Sequence, residues 1–145
     1  MNHISVMPEE VIENLLHDKD GDYLDCTFGM GGHSKAILKK LSKRGSLKAI
    51  DKDPKVFEFS KKINDTRFEF INSSFSDLQD YFIKDSFDGI LLDLGISSIQ
   101  LDDKERGFSF KNDANLDMRM DQSTGMTASD WLNNSSEKEI ADVLF

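Results

Sequence analysis

The chain has 145 residues and a formal net charge of −9, with 38% hydrophobic residues, 31% charged residues and two prolines. This length and balance fit one globular domain with a real core and argue against a disordered or fibrous protein. The negative charge argues against a chain that is itself the main contact surface for a polyanion, because nucleic-acid affinity comes largely from Lys and Arg that replace counterions. Any basic surface for nucleic acid must therefore be local, contributed by a partner or absent from this chain.

Membrane, disulfide and zinc signals are missing from the sequence. No apolar run approaches the roughly 20 residues of a membrane helix, and the first residues carry no signal-like pattern. The single cysteine, Cys26, cannot form an internal disulfide, and no Cys/His cluster has zinc spacing. We therefore expect a cytoplasmic protein with no membrane contact and no metal.

Short β-rich apolar runs alternate with helical patterns over the first two thirds of the chain, which is typical of βαβ units around a parallel sheet. The strands are predicted at residues 23–28, 47–51, 68–72 and 88–94, and the helices at 9–16, 33–41, 54–63 and 75–82. The fourth strand is nearly continuous in apolar side chains, so we expect it to be central and covered on both faces. The predicted fold class is α/β.

The pattern changes after Gly95 to a polar stretch without a sustained period, which predicts a long ordered loop of the kind that is usually functional. In this loop Arg106 and Arg119 could pair with phosphates, while Phe108 and Phe110 could stack on unpaired bases. The alternative, which we favour, is that both phenylalanines pack in the core under the loop and both arginines pair with nearby aspartates.

The last residues predict two helices. Residues 127–132 have a short helical pattern, and Ser136 with Glu139 forms a capping-box pattern that opens another helix. That helix has barely begun at Phe145, without a C-terminal glycine or a closing strand. We therefore expect the chain to be the N-terminal part of a longer fold.

The most specific local motif is DCTFGMGGH at residues 25–33, between a predicted strand and a predicted helix. Glycines at this position let the backbone turn tightly and approach a nucleotide-like ligand. Asp51 ends the next strand about 20 residues after Gly31, the spacing of an acidic residue that binds ribose hydroxyls. Ser34 stands where a dinucleotide fingerprint has its third glycine, and this disfavours NAD.

The Gly-x-Gly-Gly pattern and the acidic Asp25 at its start suit S-adenosylmethionine, which carries an adenosine and a cationic sulfonium but no pyrophosphate. The motif therefore favours a methyl donor as the ligand. The alternative is a strand-to-helix turn that binds nothing, since short glycine motifs have many false positives.

Asp93 ends the fourth predicted strand, at the edge where doubly wound sheets bind their ligands. A carboxylate at the end of an apolar strand needs a partner, which makes it a candidate functional group. In methyl transfer to an exocyclic amine it could accept hydrogen bonds from the NH₂ group and hold the nitrogen near the methyl. The alternative is a structural carboxylate that caps the backbone of the following loop.

A series of longer motifs runs along nearly the whole chain. They are HISVM at residues 3–7 with Glu10, DCTFGMGGH at 25–33, AIDKDP at 49–54, GILLDLGISS at 89–98, QLDD at 100–103, RGFSF at 106–110 and LDMRMD at 116–121. In this order they resemble the bacterial 16S rRNA (cytosine-N4) methyltransferase family, also called MraW or RsmH. Several linked motifs are far more specific than one glycine loop.

The resemblance implies a Rossmann-like class I S-adenosylmethionine-dependent methyltransferase fold with a mainly parallel sheet. It also implies transfer of a methyl group from S-adenosylmethionine to N4 of a cytidine in small-subunit ribosomal RNA, as free RNA or in the assembled 30S subunit. The cofactor residues that it implies are Gly31, Gly32, His33, Asp51, Phe75, Asp93 and Gln100. Asp93 is also our candidate catalytic residue.

Two departures from the family pattern bear on function. Ile99 stands where the family usually has a proline before Gln100, and family members are about twice as long. Residues 1–145 would then form the N-terminal part of the cofactor-binding domain, with four strands, the following loop and the start of a helical insertion. The fourth strand would expose an apolar edge that invites self-association. The alternative function is that of an incomplete fragment that only binds the cofactor or the ribosome.

Overall fold

The computed structural model describes residues 5–145, so His3 and Ile4 of the first motif lie outside the described residues. The chain divides into two compact units, Met1–Gly95 and Ile96–Phe145. None of the helices within residues 5–145 is long and apolar enough to cross a membrane.

The first unit is a parallel sheet with helices between its strands. Its elements are α1 (Pro8–Leu15), β1 (Asp22–Asp25), α2 (Gly32–Lys40), β2 (Ser46–Asp51), α3 (Phe57–Ser60), β3 (Phe68–Asn72), α4 (Leu78–Tyr81) and β4 (Gly89–Leu91), with 3₁₀ turns at Pro54–Val56 and Phe75–Asp77. The strand order is β3-β2-β1-β4 and every neighbouring pair is parallel. This confirms the α/β prediction and matches the first four strands of a doubly wound nucleotide-binding sheet.

The two faces of the sheet carry separate apolar clusters because successive strand residues point to opposite sides. On one face Tyr23 and Leu47 pack against Ile37 and Leu38 of α2 and against Leu41, which follows this helix. On the other face the buried residues are Leu24, Cys26 and Ile50, packed against Ile71, Leu78, Phe82 and Phe87. The two central strands, β1 and β2, thus contribute to both layers.

The C-terminal end of α2 is held by a side chain from the start of β3. Arg67 donates hydrogen bonds from its guanidinium to the carbonyls of Leu38 (2.8 Å), Leu41 (2.8 Å) and Ser42 (3.0 Å). These are carbonyls that a helix leaves without intrahelical donors, and a cation there also opposes the helix dipole. Asp65 binds the same guanidinium at 2.6 Å and keeps it in place.

The position of β4 corrects one prediction. Among the described strands β4 pairs with β1 alone and lies at the edge of the sheet, not at its centre. Ile90 is 48% exposed, and Leu92 just beyond the strand is exposed to a similar degree. A run of apolar residues shows that a strand has side chains suited to burial. It does not show whether neighbouring strands lie on both sides of it. The exposed apolar edge expected of a four-stranded sheet is present.

The second unit contains α5 (Ser98–Asp102), a 3₁₀ turn at Lys104–Arg106, α6 (Ala128–Asn134) and α7 (Glu137–Leu144). The two C-terminal helices confirm the sequence prediction, and Thr127 and Ser136 cap them in complete capping boxes. The expectation of a loop throughout residues 96–126 is wrong at α5. Its signal, the capping box between Ser97 and Gln100, was overlooked.

The polar stretch after α5 resolves the alternatives for its side chains. Arg119 pairs with Asp117 at 2.8 Å, and Arg106 lies 3.5 Å from a carboxylate oxygen of Asp103. This confirms the pairing of both arginines with aspartates. Phe110 is 98% exposed, so its placement in the core is wrong.

Candidate functional site

The loop after β1 is shaped by glycines at the start of α2. Gly31 has φ = 74°, and a Cβ atom there would come within 2.7 Å of the Phe28 ring. At Gly32 a Cβ atom would collide with the hydroxyl group of Ser5. Gly31 therefore requires glycine for its backbone conformation and close packing, whereas a side chain at position 32 would require the Ser5 hydroxyl to move.

Asp25 anchors this loop from inside the protein. Its carboxylate is fully buried, with Oδ1 accepting from the Thr27 amide at 3.1 Å and Oδ2 accepting from the Ser34 hydroxyl at 2.6 Å. Burial raises the pKa of this carboxyl, while the hydrogen bonds from Ser34 and Thr27 act in the opposite direction. Asp25 thus joins the end of β1 to α2.

Asp51, at the end of β2, also holds the glycine loop. Its Oδ2 accepts from the Gly29 amide at 2.8 Å, and its Oδ1 accepts from the Asp53 amide at 2.9 Å. A carboxylate has about four acceptor positions, so these bonds are compatible with ligand hydroxyls at the same group. Asp51 is partly exposed at this edge of the sheet.

Asp93 and His33 lie close together at the strand tips. The Asp93 side chain is 42% exposed, and its Oδ2 lies 3.5 Å from Nε2 of His33. The His33 residue is 5% exposed, and neither ring nitrogen has a hydrogen-bond partner within residues 5–145. Nε2 therefore lies close to the Asp93 carboxylate, at a distance just beyond an ordinary hydrogen bond.

Phe75 begins the 3₁₀ turn after β3 and is partly exposed, with Ser74 capping the turn. Two contacts join this tip to β2, since the Ser73 amide and the Asn72 side chain both donate to the Asp51 carbonyl, at 3.1 Å and 2.7 Å. An exposed aromatic ring beside Asp51's strand is suited to stacking on a base.

The parallel strands bring six of the seven predicted cofactor residues to one edge of the first unit. These are Gly31, Gly32, His33, Asp51, Phe75 and Asp93. The seventh, Gln100, lies in the second unit, where it is buried and caps α5. Its side-chain oxygen accepts from the Ser97 amide at 2.9 Å, and its own amide donates to the Ser97 hydroxyl at 3.4 Å.

Thr27 was not singled out from the sequence, although the structure gives it two partners at the strand tips. Its amide donates to Asp25, and its hydroxyl accepts from the amide of Asp93 at 2.8 Å. Its position two residues after an acidic strand end was the available signal. Within residues 5–145 no group of three or more His, Cys, Asp or Glu side chains is placed to hold a metal ion.

Part of the chain is similar to parts of several solved structures, and two of them illustrate the extent of the likeness. One is NSun6 from Pyrococcus horikoshii, with a TM-score of 0.49 and 27% identity, covering 66% of this chain and 25% of that one. The other is a SAM-dependent methyltransferase from Aquifex aeolicus, with a TM-score of 0.40 and 22% identity, covering 47% and 38%.

Curated relatives match almost the whole of the chain. It is 52% identical to ribosomal RNA small subunit methyltransferase H of Buchnera aphidicola subsp. Acyrthosiphon pisum (strain Tuc7), over 98% of this chain and 47% of that protein. The counterpart in strain APS is 51% identical over the same shares. The chain thus spans about half the length of these relatives. The family model described as the MraW methylase family matches residues 1–145, and the chain belongs to that family.

Proposed function

We propose that the strand tips of the first unit bind S-adenosylmethionine and that the protein transfers its methyl group to N4 of a cytidine in small-subunit ribosomal RNA. Membership in the MraW methylase family and relatives named ribosomal RNA small subunit methyltransferase H support this proposal. The observation that carries it is the half-exposed Asp93 carboxylate, which lies 3.5 Å from the buried His33 ring at the edge where the strands end.

The residues at the strand tips fit S-adenosylmethionine in chemistry. Asp51 would accept hydrogen bonds from ribose hydroxyls, and the exposed ring of Phe75 would stack on the adenine. The half-exposed Asp93 carboxylate would face the positive charge of the cofactor, and His33, 3.5 Å from that carboxylate, would border the same site. When bound, the cofactor would supply a methyl group from its cationic sulfonium, and the neutral thioether would be the leaving group.

Asp93 serves the acceptor side of the proposed reaction. The lone pair of cytosine N4 is delocalised into the ring, so holding the nitrogen in line matters more than prior deprotonation. The Asp93 carboxylate would accept a hydrogen bond from the amino group and hold the nitrogen in place. The same carboxylate, or water beside it, would accept the proton that N4 releases after transfer. Gln100 stays a proposed cofactor residue on the resemblance alone.

The proposed partner is small-subunit ribosomal RNA or the assembled 30S subunit, which places the reaction in the cytoplasm. A net charge of −9 leaves little general attraction for RNA. Recognition would therefore depend on local contacts or on the part of the relatives' length that this chain does not span.

Transfer of labelled methyl groups tests the proposed reaction. The chain would be incubated with labelled S-adenosylmethionine and undermethylated small subunits, and the RNA digested to nucleosides. We expect label in N4-methylcytidine, lost in Asp93→Ala and kept in Asp80→Ala, which removes an exposed carboxylate on α4. Label in another nucleoside, or equal label with both variants, would contradict the proposal.

A second candidate function is a binding module without catalysis, and the observation that favours it is the half-length match to the relatives. Cofactor binding by calorimetry without any label transfer would support this module. Transfer by the 145-residue chain alone would exclude it.

We also propose self-association through the edge of β4. The exposed apolar side chains of Ile90, Leu92 and Leu94 support it, because a free strand edge pairs readily with another chain. Sedimentation velocity should show concentration-dependent dimers that Ile90→Lys disrupts and Val143→Lys, at an exposed position on α7, does not. A monomer at all concentrations would contradict self-association.

A further inference from the structure

Thr27 connects the Asp25 carboxylate at the tip of β1 to the backbone amide of Asp93 beyond the end of β4. Its amide donates to Oδ1 of Asp25 at 3.1 Å, and its hydroxyl oxygen accepts from the Asp93 amide at 2.8 Å. Asp25 is in turn fixed to α2 by the Ser34 hydroxyl at 2.6 Å. One threonine therefore links a fully buried carboxylate to the half-exposed Asp93.

The bond to Thr27 lies beyond the end of the β1–β4 ladder. The strand β4 ends at Leu91, whose carbonyl accepts from the Cys26 amide at 2.9 Å. Asp93, two residues further on, has left the strand, and its backbone is held at the tip of β1 by a side chain. Where the backbone of Asp93 is placed determines where its carboxylate points.

The orientation of the Asp93 carboxylate sets its distance from the His33 ring. Oδ2 of Asp93 lies 3.5 Å from Nε2 of the buried His33 ring, just beyond ordinary hydrogen-bond length. A small displacement of the Asp93 backbone would therefore either close or lose this approach. Side chains that bind or react need a fixed supporting contact of this kind.

We propose that Thr27 is a positioning residue, whose hydroxyl holds the Asp93 backbone so that the carboxylate faces His33 and the bound ligand. This inference rests on the proposed function, because it assigns Asp93 to the ligand site. Thr27 itself acts through Asp93 and needs no contact with the ligand. Serine would preserve the acceptor oxygen, whereas valine has the shape of threonine without it.

The first arm of the test needs no ligand. Hydrogen exchange of the Asp93 amide would be measured by NMR in the wild type, Thr27→Val and Thr27→Ser. Residue 92, which precedes this amide, is unchanged, so the intrinsic exchange rate is the same in all three. We expect exchange about tenfold faster in Thr27→Val only, since the amide has lost its partner. The Ala49 amide in β2 serves as the control for global unfolding.

The second arm is a double-mutant cycle read by calorimetry with S-adenosylmethionine. Thr27→Val should weaken binding about tenfold in the wild-type background and by less than about twofold in the Asp93→Ala background, because contacting residues couple and independent ones do not. Thr27→Ser should bind within about twofold of the wild type. A purely structural role of Thr27 would give equal losses in both backgrounds.

The outcomes separate the two proposals. If the wild type fails to bind S-adenosylmethionine, the proposed function is wrong, and the exchange rates still decide whether Thr27 holds Asp93. Unchanged Asp93 exchange in Thr27→Val overturns the positioning role, and so do equal losses of affinity in the two backgrounds. Faster exchange together with a non-additive cycle supports it.

Discussion

The two units of this chain differ in the kind of interaction that stabilises each of them internally. All of the buried apolar side chains within residues 5–145 belong to the first unit, between Tyr23 and Val56. In the second unit the buried side chains are polar or charged, namely Gln100, Arg106 and Asp117. The first unit therefore depends on apolar burial, and the second on hydrogen bonds between side chains and the backbone.

Arg106 shows how a polar centre organises the second unit. Its guanidinium donates to the Met120 carbonyl at 2.7 Å and lies near Asp103, while its own carbonyl accepts from the Met118 amide at 2.9 Å. These contacts fix the irregular segment between α5 and α6. A segment without an apolar stripe can therefore still adopt one conformation, provided that its buried polar groups are paired.

The largest effect is expected from the apolar core of the first unit. Ile37→Ala removes a fully buried side chain between α2 and the sheet, and should lower the free energy of unfolding by about 3 kcal/mol, within the usual range for such truncations. Urea denaturation measures the change. Ile83→Ala, at a highly exposed position, should change it by less than about 0.5 kcal/mol. Similar losses for both variants would contradict a core at Ile37.

A smaller effect should follow from removing the buried cation of the second unit. Arg106→Met leaves the Met120 carbonyl and Asp103 without the guanidinium, and should destabilise residues 96–145 by about 2 kcal/mol, as for a lost hydrogen bond to a charged group. Limited proteolysis should show faster cleavage within this unit. Lys104→Met, at an exposed position, is the control, and equal cleavage of the two variants would contradict the polar-centre account.

The Asp65–Arg67 pair predicts a pH dependence in the first unit. The hydrogen bonds from Arg67 lower the pKa of Asp65 from 3.8 to about 2. Because the folded pKa lies below the unfolded value, this stabilisation is complete above about pH 4 and is lost as the pH falls towards 2. Thermal unfolding of Asp65→Asn between pH 5 and 2 should therefore show a shallower loss of stability than the wild type. Parallel curves would show that the pair does not contribute.

The smallest effect concerns a single helix cap. Ser136→Ala removes the hydroxyl that accepts from the Glu139 amide, and should destabilise α7 by about 1 kcal/mol, as for other N-cap losses. Circular dichroism combined with amide exchange in α7 would detect the fraying. The neighbouring Ser135→Ala should leave α7 intact, and fraying in both variants would mean that the capping box is not the cause.

Apolar periodicity predicted the first unit well because apolar burial forms it. The predicted strand at residues 68–72 has the bounds of β3, and the helix that follows the glycine loop is present as α2. The edge position of β4 could not be read from its residues, since an apolar strand has the same pattern whether or not a neighbour covers it. In the second unit the contacts of Arg106 join residues far apart in sequence, and no local pattern records them.

For the candidate site, the sequence predicted which residues lie at the same edge of the sheet, but not the contacts that their side chains make. The glycine loop, Asp51 and Asp93 could be placed at one edge because the ends of parallel strands meet there. The burial of Asp25 and the bond from Asp93 to Thr27 depend on side-chain directions, which spacing alone does not give. The capping role of Gln100 had a local signal, the serine three residues before it, that was overlooked.

The central claim is that the strand tips of the first unit bind S-adenosylmethionine. The most direct measurement is an NMR titration of the whole chain with this cofactor, following the backbone amides. The account predicts saturable shifts concentrated at Gly31, His33, Asp51, Phe75 and Asp93, and no such shifts with NAD. Shifts centred elsewhere in the chain, or no shifts with millimolar cofactor, would contradict it.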